Sequence, residues 1–284
     1  MQCGGCGNTE KFYKSGSFRR SSDRRVIQRY KCVICGKSRS TATDKPDVHQ
    51  NKRQLNEPLR KLLSSNISKR RAALVLSLSR TTVDRKCQYL AEQSALKFDA
   101  YWSEKGPVSS WQFDELQTIE HSKLKPLSVV MAVESKTRKI MGFEVSEMPA
   151  TGHLARRSRL KYGPRRDLRK QGLENLLQTI QARSIASAQI RSDQCQFYQS
   201  SIRRYFKDAK YRQFKGEKAT VCGQGELKKV VRDPLFGINH TFAMLRANIN
   251  RLIRKTWCTT KDPCRLKDHL MIYAHFHNTE LTPN

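Results

Sequence analysis

No stretch of the chain stays apolar for anything near the roughly 20 residues that a membrane-spanning helix requires. The opening MQCGGCGNTE also lacks the apolar core of a secretory signal. The sequence therefore predicts a soluble, cytoplasmic protein without a membrane partner. Repetition at a fixed period is missing too, which excludes solenoid and propeller arrays. Acidic side chains are scarce: 25 Asp and Glu stand against 55 Lys and Arg, a formal net charge of +30 over 284 residues. The excess runs from end to end, so the expected partner is a polyanion, with nucleic acid ahead of an anionic membrane surface. The length suits one main domain with smaller attachments.

Against that background the nine cysteines are unevenly placed. Structural disulfides are rare in reducing compartments, so metal ligands and free thiols are the expected roles. Cys3 and Cys6 form one CxxC and Cys32 and Cys35 another, each followed by glycine (CGGCG, CVICG), with 25 residues between the pairs. Four thiolates so spaced predict a tetrahedral structural Zn²⁺ site and a zinc ribbon over 1–45; a redox CxxC is the alternative. Arg19, Arg20, Arg24, Arg25, Arg29 and Lys31 lie between the pairs, as a phosphate-gripping surface would need. Cys87, Cys195, Cys222, Cys258 and Cys264 show no ligand spacing and are expected to be free.

Residues 46–98 read as helical. In ISKRRAALVLSLSRTTVDRKCQYLAEQ, Ser68 is an expected N-cap, Ser77 to Ser79 a turn, and Thr81 or Thr82 the start of a second helix with Val83, Cys87 and Leu90 on one face. This is a helix-turn-helix layout, with an ordinary helical hairpin as the plain alternative. Thr81, Thr82, Arg85 and Lys86 are then expected to point outward toward DNA. Residues 94–110, ending in SEKGPVSS, read as a linker.

Beyond it, WQFDEL, PLSVVMAV and KIMGFEVSEM predict strands, with TRK as a hairpin connection. A basic insertion near 150–172, TGHLARRSRLKYGPRRDLRKQG, is expected to be a solvated arm that closes on phosphates, Arg165 and Arg166 among its contacts. Then come a helix at 173–184, a strand at 187–193, a helix at 196–206, a strand at 209–214 and a long helix at 239–256. The result is an α/β or α+β layer fold over 99–284. Trp111, Phe113, Trp257 and Tyr273 are expected in the core, and His121, His269, His275 and His277 in structural roles.

Two acids stand out on strands in this cationic domain. Asp114 and Asp193 could bind Mg²⁺, a hard cation that takes oxygen ligands and serves phosphodiester chemistry; surface salt bridges are the competing role. Glu115 should face the opposite side of its strand.

The segments from WQFDEL to RKQG, IRSDQ and INHTFAMLRANINRLIRKTWCTTK resemble bacterial insertion-sequence transposases of the DDE type, and the ribbon and helical segment match the front end of those proteins. The resemblance spans nearly the whole chain. It implies a ribonuclease-H-like mixed sheet with flanking helices, and Mg²⁺- or Mn²⁺-dependent strand cleavage and transfer on double-stranded DNA. It also implies action by at least two copies at the bacterial nucleoid. By the same resemblance Asp114 is the first catalytic acid and Asp193 the second. The third position, usually Glu, is Asn239 here, with Glu226 as its rival. At 100° per residue, Asn239, Arg246 and Asn250 form a stripe beside Phe242, Leu245, Ile249 and Leu252, which favours Asn239 and puts Arg246 along a bound strand. His240 is more simply a packed residue than a catalytic one. Arg251, Arg254 and Lys255 suit phosphate contact or solvation alike. A DNA-binding regulator with an inactive core is the alternative function.

Overall fold

The computed structural model describes residues 1–48, 50–215, 233–253 and 257–282. Its contacts divide the chain into two compact units, Met1–Leu59 and Arg60–Asn284. In the first, β1 (Phe12–Arg19), β2 (Val26–Cys32) and β3 (Ser38–Ser40) form an antiparallel sheet in that order. Apart from Cys3 and Cys32, its described buried hydrophobic residues are Ile27, Ala42 and Leu59. Three such side chains bury too little apolar area to offset the entropy of ordering the unit, so another source of cohesion is required.

The division falls within α1 (Asn56–Leu63). Ser68 Oγ then accepts from the Arg71 N–H at 3.2 Å and caps α2 (Lys69–Val75), while Ser79 Oγ accepts from the Thr82 N–H at 3.1 Å and caps α3 (Arg80–Lys105). The second cap sets the start of α3 at Arg80, ahead of the predicted Thr81 or Thr82. The expected linker at 94–110 is largely helix, because α3 continues for 26 residues. Leu90, Ala91, Ser94, Phe98 and Trp102 continue its buried stripe at helical spacing, and the intervening polar residues conceal that period in the sequence. The Trp102 indole donates to the Ile140 carbonyl at 3.1 Å, tying α3 to the sheet.

Only Gly106 and Pro107 separate α3 from β4 (Val108–Ile119). β5 (Pro126–Glu134) and β6 (Ile140–Glu147) follow as antiparallel neighbours. The basic segment contains α4 (Leu154–Tyr162) and leads into α5 (Arg169–Gln181). β7 (Ser184–Asp193), α6 (Tyr198–Tyr205) and β8 (Lys210–Phe214) come next, both strands running parallel in the half of the sheet beyond β4. The sheet order is β6-β5-β4-β7-β8. After the interval 216–232 come α7 (Phe236–Asn248) and α8 (Pro263–Phe276). The expectation of a mixed α/β fold with flanking helices holds at this level. Phe113 of β4 packs on Tyr198 of α6 on one face, and Gln112 contacts the start of α7 on the other. Strand β5 is buried along almost its whole length, as a central strand covered on both faces should be.

Three further expectations need correction. The helix predicted over 239–256 ends at Asn248, and Ile249 is extended. Asn66 N–H donates to the Asn248 carbonyl at 2.7 Å, engaging an acceptor that a continuing helix would use internally, so Asn250 leaves the proposed stripe. The first half of the basic arm is helical, although α4 buries only Ser158. Trp257, expected in the core, is fully exposed, whereas Trp111, Phe113 and Tyr273 are buried as predicted.

Candidate functional site

The cysteine pairs converge. One sulfur from each of Cys3, Cys6, Cys32 and Cys35 lies within 4.8 Å of all the others, with Cys3–Cys35 at 3.4 Å and Cys6–Cys32 at 3.6 Å. Zn–S bonds of about 2.3 Å imply a tetrahedral sulfur–sulfur edge of about 3.8 Å, close to these separations. The backbone explains the glycines: Gly7 and Gly36, after the second cysteine of each pair, have φ of 74° and 69°, where a Cβ would be strained. The Cys35 N–H and the Asn8 amide lower the Cys32 thiol to about 6, despite opposing burial. The Asn8 N–H pulls Cys6 down as well, but burial and the neighbouring sulfurs push it up to about 12. These four cysteines can hold a metal ion such as zinc, and a cation would neutralise sulfurs too close to ionise together.

The carboxylates converge through strand register. β4 and β7 are parallel with Phe113 opposite Ser192, so the next step brings Asp114 level with Asp193. Burial, then the Asp193 charge, pushes the Asp114 carboxyl up to about 8; burial also raises Asp193. Asp114 Oδ1 accepts from the Glu115 N–H at 2.6 Å, while the buried Asp193 Oδ1 has no hydrogen-bond partner. With both groups ionised, two desolvated like charges face each other. A proton on Asp114 relieves this, and so would a cation between them. Glu115 alternates to the other face, where it accepts from the Ser128 hydroxyl at 2.8 Å.

Gln112, two residues before Asp114 and on its face, clamps the entrance to α7. Its Oε1 accepts from the Ile238 N–H at 3.0 Å and its Nε2 donates to the Pro234 carbonyl at 3.1 Å. A Cβ on Gly237 would come within 2.8 Å of that Oε1, so the close approach needs glycine. Asn239 is exposed and makes no hydrogen bond to Asp114 or Asp193; its Nδ2 donates to Asp233 Oδ2 at 2.9 Å. The sequence reading singled out neither Asp233 nor Gln112. An Asp directly before Pro234, at the entry to a helix, was the available signal for the first. His240 contacts the Arg138 guanidinium at 3.1 and 3.2 Å, and burial followed by that charge lowers its pKa. His269 and His277 donate to the Leu63 and Arg138 carbonyls, consistent with structural roles. Glu226, Cys222, Arg254 and Lys255 lie outside the described residues.

The expected DNA contacts divide. Thr81, Arg85 and Arg166 are exposed. Thr82 is half-buried, its hydroxyl 2.8 Å from Ser79 Oγ. Lys86, expected outward, is buried at 3% exposure because it falls beside Cys87 on the inner face of α3. Arg165, expected on phosphate, has a side chain only 7% exposed, between Glu120 at 3.5 Å and Glu147 at 3.6 Å. Adjacent basic residues in an irregular segment can face opposite ways, and two nearby acids fix which one turns in. Arg246 is half-buried on α7. Arg251 donates to the Arg265 carbonyl at 3.0 Å, and burial lowers its pKa, so its role includes packing. Arg156, Arg157, Arg159 and Lys161 are all exposed on α4. Among the described residues, no helix is long and apolar enough to cross a membrane.

No protein-family model and no curated protein matches the chain.

Proposed function

We propose that the protein is a DNA transposase of the DDE type, with Asn in the third position, whose ribonuclease-H-like core cleaves insertion-sequence ends and transfers them to target DNA. The observation that carries this reading is the Asp114–Asp193 pair: side by side on parallel strands, desolvated, with an unpartnered oxygen, in a chain of net charge +30. Such a pair suits a divalent cation, and the surrounding charge suits phosphate. Asp114, Asp193 and the Asn239 carbonyl oxygen would hold Mg²⁺ or Mn²⁺, with Asp233 orienting the Asn239 amide so that its Oδ1 remains an acceptor. The ion, when bound, supplies Lewis-acid stabilisation of developing phosphate charge. On binding the ion, Asp114 would give up its proton, and the register of β4 against β7 would keep the two carboxylates side by side.

The exposed Thr81 and Arg85 beside the Ser79 cap support a helix-turn-helix role for α2 and α3, and exposed Arg19, Arg24, Arg25 and Arg29 support phosphate contact by a zinc ribbon. Action on two ends implies at least two copies on DNA, in the bacterial cytoplasm at the nucleoid. One observation favours the second reading, a DNA-binding regulator with an inactive core: Asn239 brings no charge, and its amide is engaged by Asp233. Incubating the protein with a labelled insertion-sequence end and Mg²⁺ separates them. Nicking that Asp114→Asn abolishes supports the transposase. Tight end binding with no nicking of intact or pre-nicked ends, in Mg²⁺ or Mn²⁺, supports the regulator.

A further inference from the structure

Immediately after Asp193 the chain borders a cavity of about 490 Å³, within the range of roughly 300–1,000 Å³ of small-ligand sites. Its walls are the residues entering α5 and α6, including Arg169, Lys170, Gln194, Gln196 and Phe197. Arg169 is committed within the protein. It forms a fork with Asp167, Nε–Oδ1 at 2.9 Å and NH2–Oδ2 at 2.7 Å, and its guanidinium carbon lies 5.8 Å from the centre of the Phe197 ring. Phe197 is held on another side by Tyr198, edge-on at 5.3 Å. The Gln213 amide donates to the Asp193 and Cys195 carbonyls at 3.4 and 3.3 Å and braces the loop.

Other groups are uncommitted. Lys170 makes no ion pair with a described residue, and the exposed Gln194 and Gln196 amides make no hydrogen bond to one. Since Asp167 neutralises Arg169, the cavity presents one net positive charge and two amides able both to donate and to accept, beside the half-buried Phe197, whose ring packs against the core and under Arg169. That set matches one anionic group joined to a flat heterocycle with polar edges.

We propose that this cavity takes a single nucleotide of a DNA strand, its base against Phe197, its edge read by Gln194 and Gln196, and its phosphate at Lys170. The chemistry of the pocket stands on its residues; the identity of the ligand as part of the DNA strand rests on the transposase reading. Because Gln194 follows Asp193, the captured nucleotide would lie beside the carboxylate pair and hold the strand there.

The test is equilibrium binding of deoxyadenosine monophosphate, deoxyribose 5-phosphate and inorganic phosphate to the full chain, without divalent ions. Base stacking on an aromatic side chain should make the nucleotide roughly 5- to 160-fold tighter than deoxyribose 5-phosphate. Phe197→Leu should remove that difference, and Lys170→Ala should weaken both ligands together. Equal affinity of the wild type for the two ligands, or binding unaffected by Lys170→Ala, overturns the proposal. The first outcome needs no variant, and Lys170 is exposed, so a folding failure of Phe197→Leu leaves the test decisive. Nucleotide capture without nicking of DNA would sink the transposase reading and keep the pocket; nicking without capture would do the reverse.

Discussion

The cysteine cluster and the carboxylate pair are both places where like ligands crowd together, yet they differ in what surrounds them. The four sulfurs lie in a unit with almost no apolar core, whereas Asp114 and Asp193 sit at one edge of a large one that includes Trp111, Phe113, Val129, Met131 and Ile190. In the first region a cation would supply the cohesion that the side chains lack. In the second, a large apolar core supports the fold and holds two carboxylates where water cannot fully solvate them. A metal in the first place would be structural; in the second it would relieve a cost that the fold already bears.

The largest expected effect of breaking this contrast is unfolding of the first unit when metal is withheld from the cysteine cluster. Structural Zn²⁺ sites of this kind contribute about 10–16 kcal/mol of apparent binding free energy at neutral pH, which is also folding free energy. Cys32→Ser or a chelator should therefore unfold Met1–Leu59 while leaving the transition of the larger unit in place. Two-domain melting by circular dichroism, with zinc measured by elemental analysis, checks this. A zinc-free protein with an intact first unit would erase the contrast.

The next effect concerns the carboxylates and its sign follows from the raised pKa. Asp114 has a folded-state value of about 8, above its ordinary 3.8. Its contribution to stability is present below the unfolded value and lost as pH rises through 8, at up to ~1.4 kcal/mol per pH unit. Without added divalent ions, the larger unit of Asp114→Asn should melt above the wild type at pH 8, with the gap closing toward pH 5. The same proton competes with a cation, so apparent Mg²⁺ affinity should rise roughly tenfold per pH unit between 6 and 8 and then level off. Asp114→Asn and Asp193→Asn should each abolish strand cleavage and leave end binding intact. A pH-independent Mg²⁺ affinity would deny that the pair is the cation site.

How far each region could be read in advance follows the same contrast. The cysteine cluster was legible because CxxC spacing fixes local geometry within a few residues. Asp114 and Asp193 are 79 positions apart in sequence. Alternation put each on a strand, but only the register of β4 against β7 makes them neighbours, and pairing between distant strands is not written in local pattern. The strands and the cap at Ser68 were readable from β-branched runs and a helix-start residue. The continuation of α3 through 94–105 was not, since its burial depends on a sheet that the helix itself never encodes. Asn239 shows the limit most plainly: the helix period placed it on a stripe, while its actual partner, Asp233, precedes the helix.

That partner gives a prediction of intermediate size. Removing a group that orients a metal ligand typically costs 10–100-fold in metal affinity or activity. Asp233→Ala should raise the Mg²⁺ concentration needed for half-maximal cleavage by about that factor, and Asn239→Ala should do at least as much. Cleavage titrated against Mg²⁺ measures both. Normal metal dependence in Asn239→Ala would remove Asn239 from the site and direct attention to Glu226.

The smallest effect separates two neighbouring arginines, and it tests whether exposure decides which charges meet DNA. Arg166 is exposed; Arg165 lies between Glu120 and Glu147. Each phosphate contact contributes about 0.9 to the slope of log affinity against log salt on duplex DNA. Arg166→Ala should therefore lower that slope by about 1 with little change in melting temperature. Arg165→Ala should leave the slope unchanged, because its charge is already engaged, but should destabilise the larger unit modestly, because Glu147 loses its partner while Glu120 keeps Lys125. If Arg165→Ala lowers the slope and Arg166→Ala does not, Arg165 must leave its acids when DNA binds, and the basic segment would then be rearranged by its partner rather than preformed.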